Sequence, residues 1–263
     1  MKVQNKVIIV TGAGSGMGRE LTIQLVSKGA IVAMADINQS GMEETRSMTD
    51  VDKVSIHQLD VTNRDKVDSF VYDVLQQHGV IDGIINNAGI IQPFVDVKDL
   101  DYDVIERIFN INFYGTLYLT KALIPHLLKR PIAHIANVSS MGGYIPFPGQ
   151  TFYSASKAAV KILTEGLYAE LKDTNIKVTV IHPGAVNTNI MKNSGVTAEG
   201  APSSDDAANA TLPASEAARI MIQGIEKDQF RILVGKDAWF IDKFYRFSPK
   251  RAIDFIVKKM GGR

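Results

Sequence analysis

Cysteine is absent from this chain of 263 residues. Its absence excludes disulfide staples, a thiol nucleophile, thiolate zinc sites and protein-ligated iron–sulfur clusters. Any catalysis must therefore use oxygen or nitrogen groups. An excess of charge of one sign is missing too: 29 Lys and Arg stand against 28 Asp and Glu, a formal net charge of +1. Nothing in that balance calls for a phosphate-backbone partner, and no nucleic acid is expected. No apolar stretch approaches the ~18 residues of a membrane span. The first apolar run, Val7 to Val10, ends at once in Thr11 and Gly12, too short for the core of a secretory signal. A cytoplasmic location is the simplest expectation. Finally, His57, His78, His126, His134 and His182 form no HxH or HExxH pattern, so a metal site is not expected.

What is present reads as one folded unit, with 45% hydrophobic and 22% charged residues, both ordinary for a globular domain. Short β-branched runs alternate with longer stretches of helical periodicity, the pattern of parallel strands joined by crossover helices. Strands are expected at Val7 to Thr11, Ile31 to Asp36, Val54 to Gln58, Gly83 to Asn86, Ala133 to Val138, Lys177 to His182 and Arg231 to Val234. Helices fit at Met17 to Lys28, Gly41 to Thr49, Arg64 to His78, Tyr102 to Lys129, Phe152 to Asp173 and Ala214 to Lys227. The strands are continuously apolar rather than alternating, as when helices cover both faces of a sheet. The expectation is an α/β fold: a doubly wound, seven-stranded parallel sheet with helices on both faces, a single domain over 1–263. Residues 185–212, rich in small and polar types, are long for a connection and are expected to form a lid over the carboxyl ends of the strands.

Thr11-Gly12-Ala13-Gly14-Ser15-Gly16-Met17-Gly18 follows the first strand. Glycines there let backbone amides and a helix N-terminus approach a pyrophosphate. The spacing Gly12, Gly16, Gly18 departs from G-x-G-x-x-G. Asp36 ends the second strand, 18 residues after Gly18, where a carboxylate accepts from the adenosine ribose hydroxyls and repels a 2′-phosphate. Neither Ser15 nor Ile37 supplies a compensating cation, so NAD is favoured over NADP.

With these residues in view the sequence resembles the short-chain dehydrogenase/reductase family, whose fold is Rossmann-like. Leu59-Asp60-Val61 resembles the adenine-contacting segment, Asn86-Asn87-Ala88-Gly89 the motif after the fourth strand, and Asn112 the family's helix asparagine. Ser139, Tyr153 and Lys157 resemble its catalytic set, and Pro183-Gly184 with Val186 and Thr188 the segment over the nicotinamide. The resemblance implies that Gly12, Ser15, Gly16, Met17, Gly18, Asp36, Ile37, Asp60, Val61, Asn87, Ala88, Gly89, Tyr153, Lys157, Pro183, Gly184, Val186 and Thr188 bind the cofactor. It also implies a homotetramer or homodimer, and a bent helix at Asn112 that links Lys157 to a water chain.

The catalytic set has a physical case of its own. Tyr153 and Lys157 are four apart, on one face of a helix. An ammonium there is expected to draw the phenol pKa down from ~10 toward the working pH. Ser139, just past the fifth strand, is placed to hydrogen-bond the substrate oxygen. The spacing alone is cheap, because Tyr168 and Lys172 repeat it later in the same helix. Tyr153 is preferred since it starts that helix on the sheet's carboxyl side.

Residues 236–263 hold eight Lys or Arg against three Asp, and six of the chain's aromatics. Ala252, Ile253, Ile256, Val257 and Met260 share one helical face. Such a tail packs on its own domain or a subunit neighbour, covers an apolar substrate, or touches a membrane surface. The substrate side is read as Ile90, Ile91, Pro93, Phe94, Met141, Tyr144, Ile145, Phe147, Ile190 and Met191. The expected function is an alcohol dehydrogenase or ketoreductase that interconverts a lipophilic secondary alcohol and its ketone with NAD. The alternatives are an NADPH-dependent reductase of ketoacyl thioesters and a catalytically idle dinucleotide-binding sensor or scaffold.

Overall fold

The computed structural model describes residues 1–197 and 211–260. Seven strands form one parallel sheet, β1 (Val7–Thr11), β2 (Ile31–Asp36), β3 (Val54–Gln58), β4 (Gly83–Asn86), β5 (Ala133–Val138), β6 (Ile176–Pro183) and, after the short pair described below, β9 (Arg231–Val234). Their order across the sheet is β3-β2-β1-β4-β5-β6-β9. Strand order reverses between β1 and β4, and the crevice opened there, at the carboxyl ends, is where ligands sit in such sheets. Central registers such as Ile9↔Ala33 and Ile9↔Ile84 bury both faces, which is why these strands read as unbroken apolar runs.

Two layers of helix cover the sheet. One core gathers Leu21 and Leu25 of α1 (Gly16–Ser27), Met42 of α2 (Gln39–Ser47) and Ala217, Met221 and Ile222 of α8 (Ala214–Glu226). The opposite core gathers Val67 and Phe70 of α3 (Arg64–His78), Leu119 and Leu123 of α5 (Gly115–Leu127) and Leu167 of α6 (Thr151–Leu171). The helix expected at Tyr102 to Lys129 is not uniform: α4 (Tyr102–Phe109) passes through a π-helical turn at Asn110–Tyr114 into α5. π turns inside helices mark sites where a side chain is diverted, and here it is Asn112.

After β6, β7 (Val186–Asn187) pairs with β8 (Leu212–Pro213), and α7 (Ile190–Ser194) lies between them. The expected lid falls largely on 198–210, outside the described residues. Beyond β9 the chain forms two helices, α9 (Lys236–Phe247) and α10 (Pro249–Lys259). Ile241, Ala252 and Ile256 bury with Ile145, and Ile253 and Met260 pack beside them. The tail thus docks on its own domain. A buried ion pair reinforces it: Arg231 Nη1 and Nη2 donate to both oxygens of Asp242 at 3.0 and 2.7 Å. Burial alone would raise the Asp242 pKa, but the bonds from Arg231 and Arg246 outweigh it and hold the carboxyl below its ordinary value.

Candidate active site

A cleft at the carboxyl ends of β1, β2 and β4 is lined by Gly12, Ser15, Gly16, Met17, Asp36, Ile37, Asp60, Val61, Asn87, Ala88, Gly89 and Thr188, all expected from sequence. At the turn after β1, Gly12 and Gly16 take φ of +69° and +52°, and a Cβ on Gly18 would lie 1.9 Å from the Gly12 carbonyl oxygen. Only glycine lets α1 start so close to the strand. Ser15 at the helix N-cap makes no side-chain capping bond. The first amides of α1 therefore face the cleft uncapped, as anion-binding helix ends do. Asp36 is fixed at the cleft edge, its oxygens accepting from Gly14 N and Asn38 N at 2.9 Å each. Asp60 Oδ1 accepts from Thr62 N and Thr62 Oγ1 at 2.9 and 2.7 Å. Asn87 Nδ2 donates to Thr11 O at 3.0 Å, while its buried Oδ1 has no partner. An orphaned acceptor in a cleft is a place for a ligand donor. The residues present fit a nicotinamide dinucleotide.

Beside this cleft the structure brings Tyr153, Lys157 and two serines together, and it corrects the expected serine. Consecutive extended residues point to opposite sides. Ser139 turns inward, 2% exposed, and its Oγ donates to the Lys157 carbonyl at 2.7 Å. The hydroxyl that meets the Tyr153 phenol belongs to Ser140. Ser140 Oγ also accepts from Gly142 N at 3.0 Å, which fixes it at the start of the turn after β5. Ser139 is therefore a strand-to-helix tie and Ser140 the hydroxyl facing the phenol.

The phenol differs from expectation as well. Burial pushes the Tyr153 pKa up, and the Ser140 bond only partly opposes it. Lys157 Nζ donates to Val138 O at 3.0 Å, and burial lowers its pKa to about 8. Burial, not the ammonium, sets the direction of the phenol's shift, and the amine is turned toward β5. Its folded value lies below the ordinary 10.5, so its charge opposes folding below pH 8 and that penalty is relieved as pH rises from 8 toward 10.5.

Asn112 is fully buried in the π turn. Its Oδ1 accepts from Ile90 N at 2.9 Å, and its Nδ2 donates to Ile90 O and Ser156 Oγ at 3.0 and 2.9 Å. Ser156 Oγ donates in turn to Tyr153 O at 2.7 Å. Asn112 thus ties the loop after β4 to the tyrosine-bearing turn of α6. Of the residues expected to bind the cofactor, Gly18, Tyr153, Lys157, Pro183, Gly184 and Val186 do not line the cleft. A Cβ on Gly184 would fall 2.2 Å from Asp237 Oδ1, and Ala185 N donates to Asp237 Oδ2 at 2.7 Å. The first turn of α9 therefore holds this segment from behind.

Other residues besides Ser140 were not anticipated. Gln92 is fully buried, and its Oε1 accepts from Phe152 N and Tyr153 N at 2.9 and 3.0 Å. Its Nε2 donates to Gly149 O at 2.8 Å. Gln150, at the N-cap of α6, makes no capping bond of its own, so Gln92 caps the helix from another loop and fixes the residue that carries the phenol. Gln92→Leu strands two helix amides, each worth about 1–3 kcal/mol when left unsatisfied. It should lower kcat while leaving dinucleotide affinity unchanged by calorimetry; a parallel loss of affinity would show a general disturbance instead. Arg107, exposed and one turn before Ile111, also lines the cleft. Asn193 Nδ2 donates to Ser15 Oγ at 2.8 Å, and Ile91 N donates to Ser194 Oγ at 3.0 Å, so α7 is fastened across the cleft.

Of the residues expected on the substrate side, Ile90 and Ile190 line the same cleft as the glycine turn, and Ile91, Pro93, Phe94 and Met191 do not. Ile145 does not, being 1% exposed beneath α9 and α10. Met141, Tyr144 and Phe147 pack on the same cluster, and the Tyr144 hydroxyl donates to Ala238 O at 2.7 Å.

A family model described as short chain dehydrogenase matches residues 6–198. SadH of Mycobacterium tuberculosis, described as an oxidoreductase, is 34% identical over 252 residues, covering 92% of this chain and 91% of the relative. A short-chain dehydrogenase of Burkholderia cenocepacia solved with NADP superposes with a TM-score of 0.81 at 25% identity, over 98% of this chain and 99% of the other. A short-chain dehydrogenase/reductase of Burkholderia phymatum solved with NAD gives 0.85 at 24%, over 95% and 96%, a likeness of fold.

Proposed function

The chain belongs to the short-chain dehydrogenase family and is an oxidoreductase that works with a nicotinamide dinucleotide; from that premise we propose that it prefers NAD and interconverts a lipophilic secondary alcohol and its ketone. The observation that carries this reading is the meeting of the Tyr153 phenol and the Ser140 hydroxyl, next to Lys157, whose Nζ lies within 3.0 Å of where a Cβ on the cleft residue Gly89 would stand. When bound, the nicotinamide supplies or accepts a hydride at the carbinol carbon. The chain's own part is proton and charge handling. Tyr153 exchanges the proton of the substrate hydroxyl, and Ser140 donates to the same oxygen as charge develops on it. Lys157 and Asn112, buried against β5 and Ile90, hold the groups around Tyr153 in place. Asp36 accepts from the adenosine ribose, Asp60 and Val61 meet the adenine, and the first amides of α1 take the diphosphate.

The apolar character of the substrate rests on Ile90, Ile190 and the neighbouring Ile91, Met191 and Phe94, with no cation among them to compensate a desolvated anion. Burial of hydrocarbon gains roughly 25 cal/mol per Å². In a panel of secondary alcohols kcat/KM should therefore rise with apolar area through cyclic, aryl and steroid-like compounds. A fall with area, or a preference for short hydroxy acids, would refute the substrate class. A second reading, an NADPH-dependent reductase of ketoacyl thioesters, draws on Arg107, the cation in the cleft. Among the described residues no helix is long and apolar enough to cross a membrane; a cytoplasmic enzyme is part of the proposed reading. A homotetramer or homodimer accords with exposed Tyr102, Tyr114, Ile162 and Tyr168 along α4 to α6.

A further inference from the structure

We propose that the outer face of α9 and α10 docks on an anionic lipid bilayer. The inner face of this helix pair is fully used: Ile241, Ala252 and Ile256 are buried, and Asp242 is clamped by Arg231. Folding therefore does not require what the outer face displays. Phe247 is 85% exposed, Trp239 57%, Phe240 50% and Phe255 40%. Phe240, Phe244 and Phe255 form one cluster with centroids 5.8 to 6.1 Å apart, so the rings are held as a continuous patch rather than scattered singly.

Cations are interleaved with the rings. Lys236 precedes Phe240 by four residues and Lys243 precedes Phe247 by four, so each pair shares a helix face. Lys236, Lys243, Arg251, Lys258 and Lys259 are exposed, and none has an ion pair or side-chain hydrogen bond among the described residues. Residues 236–260 carry a net +4 on a chain whose total is +1. Aromatic rings enter the headgroup boundary while lysines meet anionic headgroups, the pairing used by peripheral membrane helices. A second copy laid face to face would set unpaired lysine against lysine, which disfavours self-association through this surface. Docking here also places the loop of Met141 and Phe147, under the inner face, close to the membrane, the reservoir of lipophilic compounds. That last consequence rests on the proposed substrate class; the docking does not.

Trp239 is the chain's single tryptophan, is 57% exposed on α9 and adjoins Phe240 in sequence, so intrinsic fluorescence of the full chain reports docking. Vesicles of phosphatidylcholine with phosphatidylserine should shift its emission to the blue and carry the protein down on sedimentation, at least ~10-fold more strongly than phosphatidylcholine alone, and salt should weaken the effect. Phe247→Ser with Phe255→Ser, and separately Lys243→Glu with Lys258→Glu, should each lower vesicle binding at least ~10-fold with unchanged dinucleotide affinity. The proposal is overturned by an unshifted emission at low salt, by equal binding to neutral vesicles, by variants that bind like the native chain, or by sedimentation velocity showing that the variants break an oligomer. No turnover is measured, so failure of the proposed reaction leaves the result interpretable.

Discussion

Tyr153→Phe should lower turnover by about 100- to 10,000-fold, the range supplied by a positioned general acid or base, while dinucleotide affinity stays within a small factor. The substitution deletes one hydroxyl and keeps the ring, so the packing around the first turn of α6 is retained. Tyr168→Phe is the control. It has the same four-residue offset from a lysine, but it lies 15 residues and so ~22 Å further along the helix, is 44% exposed and packs on Phe230 with centroids 4.3 Å apart. Its loss should be almost silent. Ser140→Ala and Ser139→Ala separate the two serines in the same assay. Ser140→Ala should cost kcat about 100-fold or more, on the scale of a lost oxyanion donor, and Ser139→Ala should act mainly on stability. Equal loss in the Tyr153 and Tyr168 variants would show that the reacting face has been assigned wrongly.

The second large effect concerns the cofactor. The Asp36 carboxylate cannot turn away from the cleft edge without breaking the bonds from Gly14 N and Asn38 N. A 2′-phosphate would meet that fixed charge. Arg19, whose guanidinium reaches the Gly14 carbonyl, is already paired with Glu44 at 2.7 Å. The kcat/KM ratio should therefore favour NAD over NADP by at least ~100-fold, and Asp36→Ala should narrow the gap. Arg107 is the cation able to oppose this result. If it serves the 2′-phosphate, the native enzyme will use NADP as well as NAD, and Arg107→Ala will remove NADP use selectively.

The sheet was legible because every central strand is buried on both faces, and a long apolar run such as Val7 to Val10 has few other readings. The cofactor cleft was legible because a glycine turn, Asp36 and Asp60 sit at successive strand ends, where the topology gathers them. Less accessible was anything set by which way a side chain turns. Ser139 and Ser140 are adjacent in an extended segment, and only the register of β5 against α6 decides which hydroxyl faces Tyr153. The direction of Lys157, set by the Val138 carbonyl, was hidden for the same reason. Gln92 carried no signal, since a lone glutamine in a loop caps a distant helix only once the chain is folded. The partial reading of the tail has a similar cause: the face of Ala252, Ile253 and Ile256 was periodic enough to be seen, but Ile145, assigned to the substrate, proved to be its partner.

Turnover itself tests the central claim most directly. The native chain, Tyr153→Phe and Tyr168→Phe are mixed with NAD and a lipophilic secondary alcohol, and reduced nicotinamide is followed by absorbance while NAD affinity is measured on the same samples. The account predicts steady reduction by the native chain and the Tyr168 variant, and near-complete loss in the Tyr153 variant with affinity retained. Tight NAD binding by all three with no turnover across the alcohol and ketone panel would contradict it and leave a dinucleotide-binding sensor or scaffold.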